Sequence, residues 1–317
     1  MRPSRPFRTA HGPSLLLCSA LFALPVNTPA GPTVNAPASV RAQDDEVVRV
    51  ESDLVVLNVT ITDKDGRFVH KLARKEFKVF EDDVEQSIQT FAFEENPFAA
   101  AILFDTSGSM EGRVTLARAA AIHFLGQLRA DDVAAVYNFG SEVERIQDFS
   151  NSRDLPPLAY DLSAKGSTKL HDAVLRAAQD LSKRPETRRA ILVLSDGADT
   201  SSRASLDKAL NAALAANVTL YTVNMNDPGL PSIQRQLLAQ SLKKFSEKSG
   251  GRYVSSPGGK ALSDALEEIL EELTNQYTIG YRPANKARDG RWRTIQVKLA
   301  REGLNTRTRA GYRAPKT

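Results

Sequence analysis

The sequence predicts an α/β fold in which a doubly wound, mostly parallel sheet is inserted into a small β-sandwich made from both ends of the chain. Three observations carry this prediction. From residue 98 to about 276, short apolar runs alternate with segments of helical period, as expected for strands covered by helices on both faces. On either side of that block the period switches to two, the mark of half-buried strands. Each flank alone has too few strands for a good sandwich, so the two flanks are expected to pair with each other.

Taken in order, residues 1–42 stand apart. Arg2, Arg5 and Arg8 precede the apolar run "SLLLCSALFAL", and small residues with prolines follow. That is the pattern of a secretory signal, and the run is well short of the roughly 20 residues a membrane-spanning helix needs. Cleavage after Ala30 or Ala42 fits equally, and Leu17 before Cys18 disfavours lipidation. In 46–96, "LVVLNVTIT" puts Val55, Leu57, Val59 and Ile61 on one face, Asp65-Gly66 makes a hairpin turn, and "EFKVFEDD" and "SIQTFAF" are further strands. In 97–276, "FAAAILF", "DVAAVYNFG", "VERIQDF", "RRAILVLSDG", "NVTLYTVNM" and "RYVS" read as strands. The intervening helices are "RVTLARAAAIHFLGQL", "KLHDAVLRAAQDLSK", "SLDKALNAALAA", "SIQRQLLAQSLKKFSEKSG" and "ALSDALEEILEELTNQ". In 277–317, Tyr277, Ile279 and Tyr281 alternate, as do Ile295, Val297 and Leu299, with a second Asp-Gly turn between them.

Charge and cysteine usage exclude several function classes. Residues 1–42 hold four arginines and no acidic residue, so removing them takes the 42 basic residues to 38, equal to the 38 acidic ones. A net charge of zero gives no support to nucleic-acid or anionic-membrane binding. No segment after residue 42 is long and apolar enough to span a membrane. The single cysteine lies in the signal, which leaves no thiol chemistry, and His11, His70, His123 and His171 lack zinc-ligand spacing.

One constellation carries chemistry. Ligands of open parallel sheets bind outside the carboxyl ends of the strands. Asp105 ends one apolar strand, with Ser107 and Ser109 in the loop after it, and Asp196 ends another. Thr168 stands in "KGSTKLHDA", just before a helix. Two carboxylates and three hydroxyls would therefore meet on one edge. Hard oxygen donors without nitrogen or sulfur select Mg²⁺, Ca²⁺ or Mn²⁺ over zinc or copper.

"DTSGS", with the strand–helix order of residues 98–276, resembles the D-x-S-x-S metal-ion-dependent adhesion site (MIDAS) of von Willebrand factor type A domains. Thr168 and Asp196 fall at that family's third and fourth loop positions. The resemblance implies a divalent cation, Mg²⁺ ahead of Mn²⁺ or Ca²⁺, held by Asp105, Ser107, Ser109, Thr168 and Asp196. It also implies an open coordination position for an Asp or Glu of a partner protein. In some members the threonine's departure from the cation is linked to movement of the last helix; here residues 261–276 would link the site to the sandwich. The flanks, "VTITDKDGRFVHKLARKEFKVFEDD" and "YTIGYRP", resemble an exported bacterial subgroup often found in Acidobacteria.

The reading is an exported, periplasmic or secreted, metal-dependent protein-binding module that is not an enzyme. The alternative is a metal-dependent hydrolase of a phosphate or ester. It is disfavoured because position 107 breaks a D-x-D pattern, no G-x-S-x-G or phosphate loop occurs, and no general base neighbours the serines. A third reading is a scaffold whose metal serves only the fold. Other features receive plainer roles. Asp199 is expected at a helix N-terminus rather than on the metal, and His171 at the surface or in loop packing rather than in catalysis. Asp63, Asp65 and Gly66 form a turn, since a calcium loop would need Glu where Leu72 stands. Arg301, Arg307, Arg309 and Arg313 are expected on a solvated sheet face or charged edge, and Trp292 and Tyr312 in the core or rim of the sandwich.

Overall fold

Alternating side chains divide between two cores in the central strands. The computed structural model describes residues 54–93, 97–256 and 258–316; the export signal expected over 1–42 lies outside them. In β5 (Phe98–Asp105), Phe98, Ala100, Ile102 and Phe104 face one apolar cluster, while Ala99, Ala101 and Leu103 face another. Burial on both faces is why this segment shows no period-two polarity.

Strands β1 (Val55–Thr62), β2 (Phe77–Glu81), β3 (Val84–Gln86) and β4 (Ile88–Phe93) precede β5. After it come α1 (Val114–Gly126), β6 (Val133–Phe139), β7 (Val143–Ser150), α2 (Leu170–Leu181), β8 (Arg188–Ser195), α3 (Leu206–Ala215), β9 (Val218–Asn224), α4 (Ser232–Ser249), β10 (Tyr253–Ser255) and α5 (Lys260–Thr274). The chain closes with β11 (Tyr277–Tyr281), β12 (Trp292–Leu299), β13 (Asn305–Arg307) and β14 (Gly311–Arg313).

The central sheet has the order β10-β9-β8-β5-β6-β7, parallel throughout except for the edge strand β7, which is antiparallel to β6. Helices α1 and α5 cover one face, and α2, α3 and α4 the other. Their apolar stripes fit this placement. Ala117, Ala121, Phe124 and Leu125 of α1 meet Leu262, Leu266, Ile269 and Leu273 of α5 over the same cluster. No helix among the described residues is long and apolar enough to cross a membrane.

The two ends of the chain interleave. One antiparallel sheet runs β13-β1-β11-β4 and the other β14-β12-β2-β3, so each takes two strands from either flank. Their inner faces share one core of Val55, Leu57, Val59, Ile61, Phe77, Val79, Ile279, Ile295 and Val297. Tyr277 fills its centre, its ring 4.5 Å from Phe93 and 5.1 Å from Phe77. Its hydroxyl accepts from Leu72 N and donates to Val69 O, both at 3.0 Å. The Asp63–Arg67 turn is closed by the Asp63 carboxylate, which accepts from the backbone N–H of Asp65 and Arg67, with Gly66 at φ +82°.

The arginine expectation needs correction. Arg313 and Arg301 are exposed, but Arg309 is buried and donates to Leu214 O at 3.0 Å and Asn217 Oδ1 at 2.9 Å. Burial pulls its pKa down to about 10. Helix α3 packs against β14 and covers this face, which period-two spacing cannot reveal. Arg307 is half-buried and pairs with Glu272, a fully buried carboxylate on α5. Trp292 packs against the α2–α3–α4 core, so it forms the seam between sandwich and α/β layer, whereas Tyr312 packs on the sandwich core.

Candidate metal-binding loop cluster

Each of the five predicted residues lies at or just beyond the carboxyl edge of the central sheet. Asp105 ends β5 and is fully buried. Its Oδ1 accepts from Ser107 N at 2.9 Å and from Ser107 Oγ at 2.5 Å, while Oδ2 accepts from Ser195 Oγ at 2.5 Å. Ser107 Oγ also lies 3.1 Å from Ser109 Oγ, which reaches the surface. Asp196 directly follows β8, is 3% exposed, and accepts from Ala198 N on Oδ1. Thr168 is 2% exposed, in the loop before α2.

Backbone contacts lock the three loops into a closed triangle. Lys165 N donates to Thr106 O at 2.9 Å and Gly108 N to Gly166 O at 3.2 Å, joining the first loop to the second. Thr200 N and Ser201 N both donate to Thr168 O at 3.0 Å, and Thr168 N donates to Thr200 Oγ1 at 2.9 Å, joining the second to the third. The Ser195–Asp105 bond joins the third to the first. Glycine is required at two corners. Gly166 has φ +77°, and a Cβ there would meet Ser141 Oγ at 2.1 Å. Gly197 has φ +88°, and its Cβ would meet Leu238 O at 2.3 Å.

Electrostatically the cluster is unbalanced. Burial pushes the Asp105 carboxyl up to about 6; the Ser107 and Ser195 hydrogen bonds work against this, and the charge of Asp196 adds to it. Neither carboxylate forms an ion pair with a basic side chain among the described residues. Two oxygens, Thr168 Oγ1 and Asp196 Oδ2, have no hydrogen-bond partner among the described residues. The donor set is two carboxylates and three hydroxyls; no group of three or more His, Cys, Asp or Glu side chains suited to a metal occurs among the described residues. A hard divalent cation fits this set, because it neutralises both charges and uses oxygens the protein leaves unbonded.

Several supporting residues escape a reading by motif. Ser195 pairs across the parallel register with Asp105, since Phe104 lies opposite Leu194. Its Oγ also accepts from Gly197 N at 2.9 Å, so one hydroxyl fixes both the carboxylate and the loop carrying Asp196. Arg113 donates to the carbonyls of Ser109 and Met225 and so anchors the first loop to the end of β9. Asp199 lies at a helix N-terminus, as expected, but at that of α2. It accepts from His171 N at 3.2 Å and its Oδ2 is 3.1 Å from His171 Nδ1. The pairing is reciprocal: Asp172 of α2 accepts from Arg203 N and Ala204 N, at 3.0 and 2.8 Å. His171 itself packs on the Phe245 ring, 5.9 Å away, with Nε2 3.5 Å from Ser241 Oγ.

A family model for the von Willebrand factor type A domain matches residues 101–278. No curated protein matches the sequence. Among solved structures, a von Willebrand factor type A protein from Catenulispora acidiphila is similar at 14% identity, over 72% of this chain and 73% of that one, with TM-score 0.46. An aerotolerance-related membrane protein from Bacteroides fragilis NCTC 9343, carrying multiple mutations to serine, is similar at 14% identity over 56% and 98%, with TM-score 0.45. The vWF domain of the type V pili tip protein Mfa5 from Porphyromonas gingivalis is similar at 14% identity over 55% and 94%, with TM-score 0.44. The family match takes in more than half of the sequence, from within β5 to the start of β11, and the chain belongs to the von Willebrand factor type A domain family.

Proposed function

We propose that this chain is an exported, divalent-metal-dependent protein-binding module, of the adhesion or interaction type, whose metal site is completed by an acidic residue of a partner. When bound, a divalent cation, Mg²⁺ first and Mn²⁺ or Ca²⁺ next, supplies an electrophilic centre for a carboxylate. Asp105 and Asp196 would hold it by charge, and Ser107, Ser109 and Thr168 by neutral hydroxyls. Two carboxylates roughly neutralise a divalent ion, so it keeps its attraction for one more acidic side chain. Ser195 orients Asp105, Arg113 fixes the Ser109 loop, and Thr200 and Ser201 hold Thr168 in place. Export is read from the basic start and short apolar run of residues 1–42.

The observation that carries this reading is the buried carboxylate couple Asp105 and Asp196, without a basic partner among the described residues, with the unbonded Thr168 Oγ1 on the loop between theirs. A binding role is favoured over hydrolysis because no imidazole hydrogen-bonds Ser107 or Ser109 among the described residues: His171, the nearest in sequence, turns its Nε2 to Ser241 of α4 instead. Calorimetric titration of metal-stripped protein with Mg²⁺, Mn²⁺ and Ca²⁺, beside Asp105→Ala, tests it. One-site binding that the mutant loses is the expected result. Wild-type protein that takes up no ion, or metal-dependent turnover of a phosphate or ester, overturns the reading.

A further inference from the structure

A second polar site lies on the same sheet edge, two strands from Asp105. A cleft of about 320 Å³ opens at the carboxyl ends of β9 and β10 under α4, lined among others by Asn224, Asn226, Arg235, Lys243, Tyr253 and Ser255. Its two basic residues have no acidic partner among the described residues. Among these residues the Arg235 guanidinium makes no hydrogen bond or ion pair, and the Lys243 ammonium only stacks over the Tyr253 ring at 5.3 Å. Tyr253 OH accepts from Asn224 Nδ2 at 2.8 Å and has no acceptor for its own proton. Asn226 Oδ1 is buried without a donor.

The chemistry of these groups separates one class of anion from another. Phosphate sites use rows of free backbone N–H groups, and here five N–H groups of the flanking loops are engaged within the protein. Met225 N donates to Ser195 O, Asn226 N to Asn224 Oδ1, Gly229 N to Asp227 Oδ1, Leu230 N to Asp227 O, and Ser256 N to Asn224 O. Beside the Gln236 amide and the Ser255 hydroxyl, the lining offers a planar guanidinium, an ammonium, a phenol proton and one orphaned amide oxygen. The cationic groups and phenol suit a carboxylate, and the amide oxygen suits a nearby peptide N–H.

We propose that this cleft binds a peptide-borne carboxylate, an Asp or Glu of the acidic partner segment that also reaches the loop cluster. That one partner fills both places rests on the metal-dependent reading above; the carboxylate site itself does not. Ser195 lies opposite Asn224 in the register, and β8 separates β9 from β5, so Asn224 is about 10 Å from Asp105 at ordinary strand spacing. An extended peptide spans this in about three residues, which sets the spacing of its two acidic side chains.

The test is an NMR titration of ¹⁵N-labelled full chain, stripped of metal on a chelating resin, with N-acetyl-L-aspartate N-methylamide. Saturable shifts are expected at the side-chain amides of Asn224 and Asn226. Arg235→Gln should weaken binding by about tenfold, the loss of one charge-assisted contact. Lys244→Gln, at a neighbouring exposed lysine that pairs with Asp207, should leave it unchanged. Absent shifts, equal weakening by both variants, or stronger saturation by inorganic phosphate each overturn the carboxylate site. Because no metal is present, failure of the loop cluster to bind an ion leaves this titration readable. In Mg²⁺, Ac-Asp-Gly-Gly-Asp-NH₂ should bind about tenfold more tightly than Ac-Asp-Gly-Gly-Asn-NH₂, and Arg235→Gln should erase the difference. Equal affinities in wild-type protein overturn the shared-partner part.

Discussion

Among the buried carboxylates of the described residues, two centres are finished in opposite ways. Glu272, on the last turn of α5, is fully buried, and every neighbour answers its charge. Tyr221 OH donates to Oε1 at 3.0 Å and Thr60 Oγ1 at 3.2 Å, while Arg307 pairs with Oε2 and Arg252 Nε lies 3.5 Å from it. Gln276 closes the ring by donating to Tyr221 OH and Thr60 Oγ1. Asp105 and Asp196 have hydroxyls and backbone N–H groups around them but no cation. A buried charge without a counter-charge is costly, so on the proposed reading the second centre takes its cation from outside, whereas the first is complete. The complete centre also ties α5 of the α/β layer to β1 and β13 of the sandwich.

The largest expected effect is at the complete centre. Glu272→Ala leaves Arg307 and Arg252 without their buried partner and should lower stability by about 3–5 kcal/mol, read from urea unfolding. Metal affinity of the folded mutant should stay at the wild-type value, because the two centres share no hydrogen-bond partner. A cost below about 1 kcal/mol would show that the network is not structural.

The open centre should respond in the reverse sense. Mg²⁺ at about 100 times its dissociation constant should raise wild-type stability by about 2.7 kcal/mol, measured as a shift of the unfolding midpoint. Asp196→Asn should abolish that increment yet leave metal-free stability within about 1 kcal/mol, since it removes a like charge near Asp105. An equal loss with and without metal would mean that Asp196 acts only through the fold.

Ser195→Ala comes next, at about 1–2 kcal/mol in metal-free protein, because Asp105 Oδ2 and Gly197 N each lose their bond to one buried hydroxyl. A stability change inside the noise of the unfolding curve would show that water replaces the hydroxyl at no cost.

What the sequence exposes, and what it hides, follows the same division. The order of the central strands and helices was legible because unbroken apolar runs, stopped by Asp105 and Asp196, alternate with segments of helical period. The pairing of the two flanks was legible from the shortage of strands in each, and both sandwich sheets do mix them. Ser195 was missed because a serine one residue before a carboxylate looks like any turn; only the register against β5 shows what it touches. Arg307 and Arg309 were misread because a strand's period says which residues share a face, not what covers that face. In this chain the covers are α3 and α5, far away in sequence. Glu272 had the same disguise, as one glutamate among several on an amphipathic helix.

The smallest effect separates two roles that one residue could hold. Asp199 stands three positions after Asp196, close enough in sequence to be a metal ligand itself. In the structure it caps α2 through His171 N and pairs with the His171 ring, while Thr168 is held independently by Thr200 and Ser201. Asp199→Ala should therefore cost about 1 kcal/mol of stability, the ordinary value for a lost helix cap. Its calorimetric affinity for Mg²⁺ should fall by less than about tenfold, as for a residue that orients rather than binds. If the mutant instead loses Mg²⁺ as completely as Asp196→Asn does, Asp199 belongs to the coordination sphere. The open centre would then hold three carboxylates, and its attraction for an acidic partner would be correspondingly weaker.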